Sequence, residues 1–571
     1  GYLTKAAAFA GYPVDMATDW HGGYSLMLVP VFRLVSDPFA VWQGIIVVNA
    51  ALWTASFAVL FHLLRRLFPD RSFWPIFGAV AFSAAYPAWI TMSGYAFPTP
   101  GFAFVFMLSL LALMSLPANR SVSLQGVAFS VLVGFLYWVH PTGLAVAAAS
   151  VMVIGMLAWL RRRSAPLVIH AVIVAAMIAI YQLAVHPWLN EVMTPLGKDH
   201  EGHYKEPLTV LRSLLHAEVF LAVAVAAMGQ VSYLLVSSLG VISFGVREAW
   251  EGLVSVVQGS RGRAEAQPSQ LIAAFSVLSV LGIVPLSALS LGSGVLSSDL
   301  RIDQWIYGRY AEMVLLPLLG IGLVAVWRVR WFVLSAGVVL ATALLFVVYV
   351  DQSNTSNLNY ETMIPSFWPL PVWPAAGHPW WFVAGAAAVL AAGILGKRYM
   401  PLLALPVFAV AIGNQASGHW WNIGSSYTDP TSLVGFVRQN FDPGGCIGFD
   451  VRRPANSSSA SKERRNLYSF YFYDYDFRRM TPTEWLNTCD GPYLTFYGEA
   501  LAAKPRVSAI GRLESSGLFL VVKNERVSRL VLPVKIAEAG DIYWDLTGRD
   551  PCLLKGCVQR SAEELARFSQ I

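Results

Sequence analysis

The 571-residue chain is short of charge: Asp, Glu, Lys and Arg make up only 13% of it, while 56% of its residues are hydrophobic. Soluble domains carry about 25% charged residues, so a water-facing surface for a chain of this size cannot be assembled. A soluble enzyme and a disordered scaffold are excluded, and most of the exterior must face lipid. A concentrated basic face is also missing. The formal net charge is +6, but the basic residues sit between apolar runs, which argues against a nucleic-acid partner. No Gly-rich loop of the P-loop type stands before a helix, so ATP-driven transport has no support. No internal repeat of the transporter kind is present. Cysteine is scarce, with four residues, Cys446, Cys489, Cys552 and Cys557, all in the last quarter. The chain starts at Gly1 within a polar-aromatic stretch, from which a missing N-terminal piece is expected.

What is present in quantity is long apolar runs. A spanning helix needs roughly 20 apolar residues. Runs of this kind occupy 41–62, 73–91, 100–117, 124–139, 142–160, 166–185, 229–246, 270–290, 308–327, 331–350, 381–396 and 400–414, giving 12 expected spans. The stretch 208–246 reads either as one long helix or as a helix plus an interfacial segment. Alternate loops carry Arg65, Arg66, Arg71, Arg120, Arg161, Arg162, Arg163, Arg247, Arg261, Arg263, Arg328, Arg330, Lys397 and Arg398, while the opposite loops hold only Lys198, Lys205, Arg212 and Arg301. The Lys/Arg excess marks the cytoplasmic side.

Three domains are therefore expected. Residues 1–40 form an external amphipathic loop, 41–414 a helical transmembrane domain, and 415–571 a small external α/β or α+β domain. In the last region, Tyr493–Tyr497 and Leu518–Val522 read as strands and 561–570 as a helix. Four cysteines in an external domain suggest two disulfides. The close pair Cys552 and Cys557 would leave Cys446 with Cys489, although three pairings exist, and zinc is the rival reading.

The candidate chemistry lies in the external loops. In 1–40, Tyr2, Ala7, Phe9 and Tyr12 would anchor an interfacial helix, and Asp15, Asp19 and His21 follow in a Gly/Pro-containing loop. A carboxylate held there could serve as general base or metal ligand. His140 stands at WVHPTG, between two spans. In the loop 187–207, Asp199, His200, Glu201 and His203 are ligand types that could bind a divalent cation or an acceptor. Arg301, Asp303, Arg309, Tyr310 and Glu312 gather at 297–319. A guanidinium at that depth is expensive unless it meets an anion, either a lipid phosphate gripped through paired donors or an internal carboxylate, Glu312 or Asp303. The aromatic run YSFYFYDYDF (468–477) is either a glycan-stacking surface or a packed core.

In order along the chain, Tyr2-Leu3 with its amphipathic helix, GGYSLMLVPVFRLVSDPFAV followed by a span and LLRRLFPDR, WVHPTGLAV, and YGRYAEMVLLPLL are similar to the motif series of the GT-C superfamily of polytopic glycosyltransferases. That superfamily includes protein O-mannosyltransferases, the lipid A aminoarabinose transferase and actinobacterial arabinosyl- and mannosyltransferases. The resemblance covers about residues 1–415. It implies transfer of a sugar from a polyprenyl-phosphate donor to an acceptor glycan or glycolipid outside the cytoplasm. An Asp of the first external loop (here Asp15 or Asp19, with His21) would act on the acceptor hydroxyl. Arg309, Arg301, Tyr310 and His140 would hold the donor phosphate. It fixes no cofactor, although a divalent cation would be compatible. The chain departs from the pattern in two places. The family's carboxylate commonly precedes the position of Tyr2, after a first span that would make 13 helices. The acid often found near Pro98-Thr99-Pro100 is absent. Composition fits a GC-rich bacterium, and hence its cell membrane. The rival readings are a lipid-linked sugar flippase and an inactive assembly protein.

Overall fold

The protein's structure, a computed structural model, describes residues 1–12, 14, 20–116, 123–193, 216–259, 268–292, 305–325, 328–350, 379–395, 434–450, 468, 470–495, 501, 507–513 and 518–527. It is mostly helical with a small C-terminal sheet. The helices before the C-terminal region are α1 (Tyr2–Ala10), α2 (Gly23–Leu34), α3 (Pro38–Leu67), α4 (Phe73–Ala84), α5 (Pro87–Ser93), α6 (Thr99–Met114), α7 (Leu124–Val139), α8 (Gly143–Leu160), α9 (Ala165–Ile180) continuing through a π-turn into α10 (His186–Met193), α11 (Ala217–Ser237), α12 (Ile242–Gly259), α13 (Pro268–Gly292), α14 (Arg309–Glu312), α15 (Leu316–Val324), α16 (Val329–Tyr349) and α17 (Pro379–Leu395).

Among the described residues, six helices are long and apolar enough to cross a membrane, or seven if the α4–α5 pair, bent by 54°, forms one span. The difference from 12 has identifiable causes. α6, α7 and α17 are apolar but shorter than 18 residues. The run 229–246 is not one helix. α11 ends at Ser237, and Leu239 (φ 51°) and Gly240 (φ 76°) turn the chain in the left-handed region. α12 follows, with Arg247 and Glu251 paired at 2.7 Å. The run 308–327 also breaks. Pro317 has no N–H to donate to Met313, so the chain passes from α14 to α15 through tighter bonds, Val314 N–H to Ala311 O and Leu315 N–H to Glu312 O. Such irregular backbone is tolerated at membrane depth where protein surrounds it, and residues 311–322 are buried throughout. The run 400–414 lies outside the described residues.

α1 is not a lipid-facing anchor. Tyr2 and Ala7 are buried in the protein core, because α1 packs on α2 and α10 and meets Trp20 and Tyr24 through Tyr2. α3 starts at Asp37, whose carboxylate accepts from Ala40 N–H at 2.8 Å, and ends with Arg65 and Arg66.

The C-terminal strands β1 (Cys446–Asp450), β2 (Asp476–Met480), β3 (Tyr493–Thr495), β4 (Val507–Leu513) and β5 (Leu518–Lys523) form one sheet in the order β2-β1-β3-β5-β4. β1 is parallel to β2 and β3, and the remaining pairs are antiparallel. Both strands read from the sequence are present as β3 and β5. Cys446 and Cys489 are disulfide-bonded; Cys552, Cys557 and 561–570 lie outside the described residues. The aromatic run is not a stacking surface. Phe470, Tyr471, Phe472, Tyr473 and Tyr475 are buried: Phe470, Tyr471 and Tyr473 dock the sheet domain on the α2–α3 corner, whereas Phe472 and Tyr475 pack within it. Tyr473 packs on Tyr12 and Phe32, and its hydroxyl donates to Ser36 O at 2.8 Å. Arg438 grips Asp474 with two bonds, at 2.7 and 2.8 Å, and reaches Ser36 O at 3.3 Å.

The disulfide closes a loop with a sequence separation of 43. Chain entropy assigns such a loop about 4 kcal/mol. Cys446→Ser/Cys489→Ser is therefore expected to make the sheet domain the first part of the molecule to unfold, read as protease cleavage within 446–489 at temperatures where the native chain is resistant.

Candidate active site

Gly23 lets the start of α2 run against the end of α7: a Cβ there would stand 2.5 Å from the Trp138 carbonyl carbon. This approach sets His21 beside α7. Its Nδ1 bonds the Tyr137 carbonyl, and its ring stacks on Tyr181 with centroids 4.8 Å apart. A carbonyl only accepts, so Nδ1 carries the proton.

Three residues further on, His140 ends α7. Its Nδ1 accepts from Thr142 N–H at 3.3 Å and meets the Thr142 hydroxyl at 2.8 Å. A nitrogen accepting from a backbone amide has no proton, so in neutral His140 the proton sits on Nε2, as a donor. The His140 ring lies 4.6 Å from that of Tyr310.

Arg309 completes the group. Gly308 before it permits a close passage, since a Cβ would lie 1.8 Å from the Tyr233 ring. The guanidinium carbon sits over three aromatic faces, Phe97 at 4.7 Å, Tyr307 at 5.4 Å and Tyr310 at 5.5 Å. Ring quadrupoles favour a cation there. The turn leading into Phe97 is held by Asn49, which donates to Ser93 O and Tyr95 O and accepts from the Tyr24 hydroxyl. Among the described residues, the buried Arg309 Nε has no hydrogen-bond partner.

The internal ion pair expected as an alternative for Arg309 is not formed with Glu312. That carboxylate instead accepts from the hydroxyls of Tyr233 at 2.6 Å and Tyr86 at 3.2 Å. Among the described residues, no carboxylate pairs with Arg309, His21 or His140. Asp303 lies outside them.

The basic groups feel one another. Lys5, fully buried, donates to the Trp20 carbonyl and acts electrostatically on His21. His140 lies within electrostatic reach of both His21 and Arg309, and Tyr2 within reach of Arg309. Burial pushes His21 down to about 3, with Lys5 and His186 adding to the depression against the opposing Tyr137 bond. Burial, then His21 and Arg309, hold His140 well below the ordinary imidazole range. Both imidazoles are neutral at pH 7.

The structure thus brings together four residues chosen from the sequence, His21, His140, Arg309 and Tyr310. Asp15, Asp19, Arg301, Asp199, His200, Glu201 and His203 lie outside the described residues. Sequence reasoning missed Lys5, Phe97 and Tyr307, and read Tyr2 as an interfacial anchor. A lysine inside an Ala-rich helix was the available signal for the first. Among the described residues, no group of three or more His, Cys, Asp or Glu side chains could hold a metal ion. The cationic, aromatic surroundings of Arg309 do not suit a divalent cation. They suit an anion with several acceptor oxygens, which could take the Nε2–H of His140 and the Nε–H of Arg309.

No family model matches the chain, and no curated protein matches it. Two solved structures are similar. One is ArnT from Cupriavidus metallidurans in the apo state, with 14% identity over 93% of this chain and 94% of that one and a TM-score of 0.49. The other is the same protein bound to undecaprenyl phosphate, with 14% identity, the same coverage and a TM-score of 0.48.

Proposed function

We propose that the chain is a membrane glycosyltransferase that moves a sugar from a polyprenyl-phosphate donor to a hydroxyl of a cell-envelope glycan or glycolipid. One observation carries this reading. Arg309 and two neutral imidazoles converge at one end of the bundle with no paired carboxylate among the described residues, and a buried guanidinium N–H is left for a ligand. A buried cation without a counter-charge is costly. A phosphate supplies both the charge and the acceptors.

In the step proposed, the acceptor oxygen loses its proton and bonds to the anomeric carbon. The bond from that carbon to the phosphate oxygen breaks, and its electron pair leaves with the polyprenyl phosphate. Arg309 and the Nε2–H of His140 stabilise the charge growing on the leaving phosphate, and Tyr310 walls its pocket. Orientation of the two substrates adds to this. His21, neutral and fixed by Tyr137, orients α2 against α7 and is a poor proton acceptor at pH 7. Asp15 and Asp19 are the candidate bases. No step is routed through a metal ion.

The test is an assay of the purified full chain with radiolabelled polyprenyl-phosphate sugars. Glycosylated acceptor and unsugared lipid phosphate in equal amounts support the reading. Movement of intact donor across a vesicle bilayer without cleavage would replace it with a flippase.

A further inference from the structure

Arg309 stands on a short platform. α14 is a single turn of four residues, closed by one regular bond from Glu312 N–H to Gly308 O at 3.1 Å. A helical nucleus of that length is unfavourable by itself, so contacts from outside the turn must fix where Arg309 points. Tyr233 supplies them from α11, at both ends of that bond. Its ring lies against Gly308, where an added Cβ would come within 1.8 Å of Cε1 and 2.1 Å of Cδ1. Its hydroxyl donates to Glu312 Oε1 at 2.6 Å. Four residues earlier, on the same face of α11, Gly229 allows a close approach to Trp305, whose carbonyl oxygen would stand 2.4 Å from a Cβ there. α11 thus backs the segment from Trp305 to Glu312.

The same carboxyl ties in the opposite wall of the guanidinium cage. Tyr86 donates to Glu312 Oε1 at 3.2 Å and meets Ser237 Oγ of α11 at 2.7 Å. It stands at the start of α5, the helix that leads into the turn carrying Phe97. Phe97 on one side, and Tyr307 and Tyr310 on the other, are therefore held in register through one buried, hydrogen-bonded carboxyl. Burying that group would be costly without such donors.

We propose that Tyr233 is a positioning residue for Arg309. The bond from its hydroxyl to Glu312 holds α14 where the guanidinium stays over its three rings and its Nε–H serves the donor phosphate. The inference rests on the phosphate role proposed above for Arg309. Tyr233 itself lies buried behind Gly308 and acts through the turn, not on the reacting atoms.

The experiment is a double-mutant cycle on the purified full chain, with transfer from radiolabelled polyprenyl-phosphate sugar measured in the native chain, Tyr233→Phe, Arg309→Ala and the combination. Tyr233→Phe keeps the ring on Gly308 and removes the hydroxyl donor. It should lower kcat about a hundredfold, the effect of misplacing a reacting group by about 1 Å. The KM for acceptor should hold, and the thermal midpoint should stay close to that of the native chain. In the Arg309→Ala background the same change should cost about twofold or less, because residues that act through one another are not additive. Gly308→Ala carries the same test without altering Tyr233: its methyl forces turn and ring apart, so kcat should fall in the native chain and hold where Arg309 is already absent. A native rate in Tyr233→Phe, or its full hundredfold loss repeated on top of Arg309→Ala, overturns the inference while native transfer leaves the proposed reaction standing. A native chain that transfers no sugar overturns both.

Discussion

Replacing Arg309 by alanine is expected to lower sugar transfer about a thousandfold, the loss typical when one charge-stabilising donor is removed from a reacting centre. The side chain sits over Phe97, Tyr307 and Tyr310, and its Nε has no hydrogen-bond partner among the described residues. Truncation therefore breaks no ion pair among the described residues. The thermal midpoint of the purified variant should hold or rise, because an uncompensated buried cation has gone. Arg309→Lys keeps the charge but loses the planar fork and the stacking, so it should fall between the two. Activity and stability together make the result specific. Full activity in Arg309→Ala contradicts the phosphate role, and loss of activity with a collapsed midpoint would assign Arg309 a structural role instead.

Acidification is expected to unfold this protein early. His21 is pushed down to about 3 by burial, and His140 is also depressed, whereas an unfolded histidine titrates near 6.5. Between those values the unfolded chain binds protons that the folded chain refuses, so stability falls as pH falls. This contribution is complete above pH 6.5; below it that of His21 shrinks by about 1.4 kcal/mol per pH unit, and that of His140 falls in the same direction. At pH 5, before most carboxylates protonate, His21 alone has lost about 2 kcal/mol. Thermal midpoints measured from pH 7.5 to 5 should therefore drop steeply in the native chain. The His21→Asn/His140→Asn variant should show a flatter profile. An equally steep profile in the double variant would place the acid sensitivity elsewhere.

Part of this arrangement was legible in the sequence, as the shared placement of a few residues. The sequence reading expects His21, His140 and Arg309 on one surface from the alternation of basic loops, and the fold brings the three close together, although nearly 290 positions separate the first from the last. The breaks were not legible in the same way. Window hydropathy averages over Leu239-Gly240 and Pro317, where a backbone torsion or a missing N–H ends a helix without a polar residue to mark it. Lys5 was missed because an Ala-rich segment carrying one lysine reads as interfacial, when α10 and α2 in fact enclose it. The run at 468–477 was ambiguous for a physical reason. Aromatic rings serve glycan stacking and domain docking equally well, and only the partner surface, here Tyr12, Phe32 and Ser36, decides between them.

The most direct measurement is a density map of the full chain, in a lipid bilayer, with a polyprenyl phosphate bound. The expected result is phosphate density within hydrogen-bond distance of Arg309 and His140 Nε2, with the tail leaving between helices toward lipid. Phosphate density only at other sites, with Arg309 still capped by its three rings alone, would contradict it.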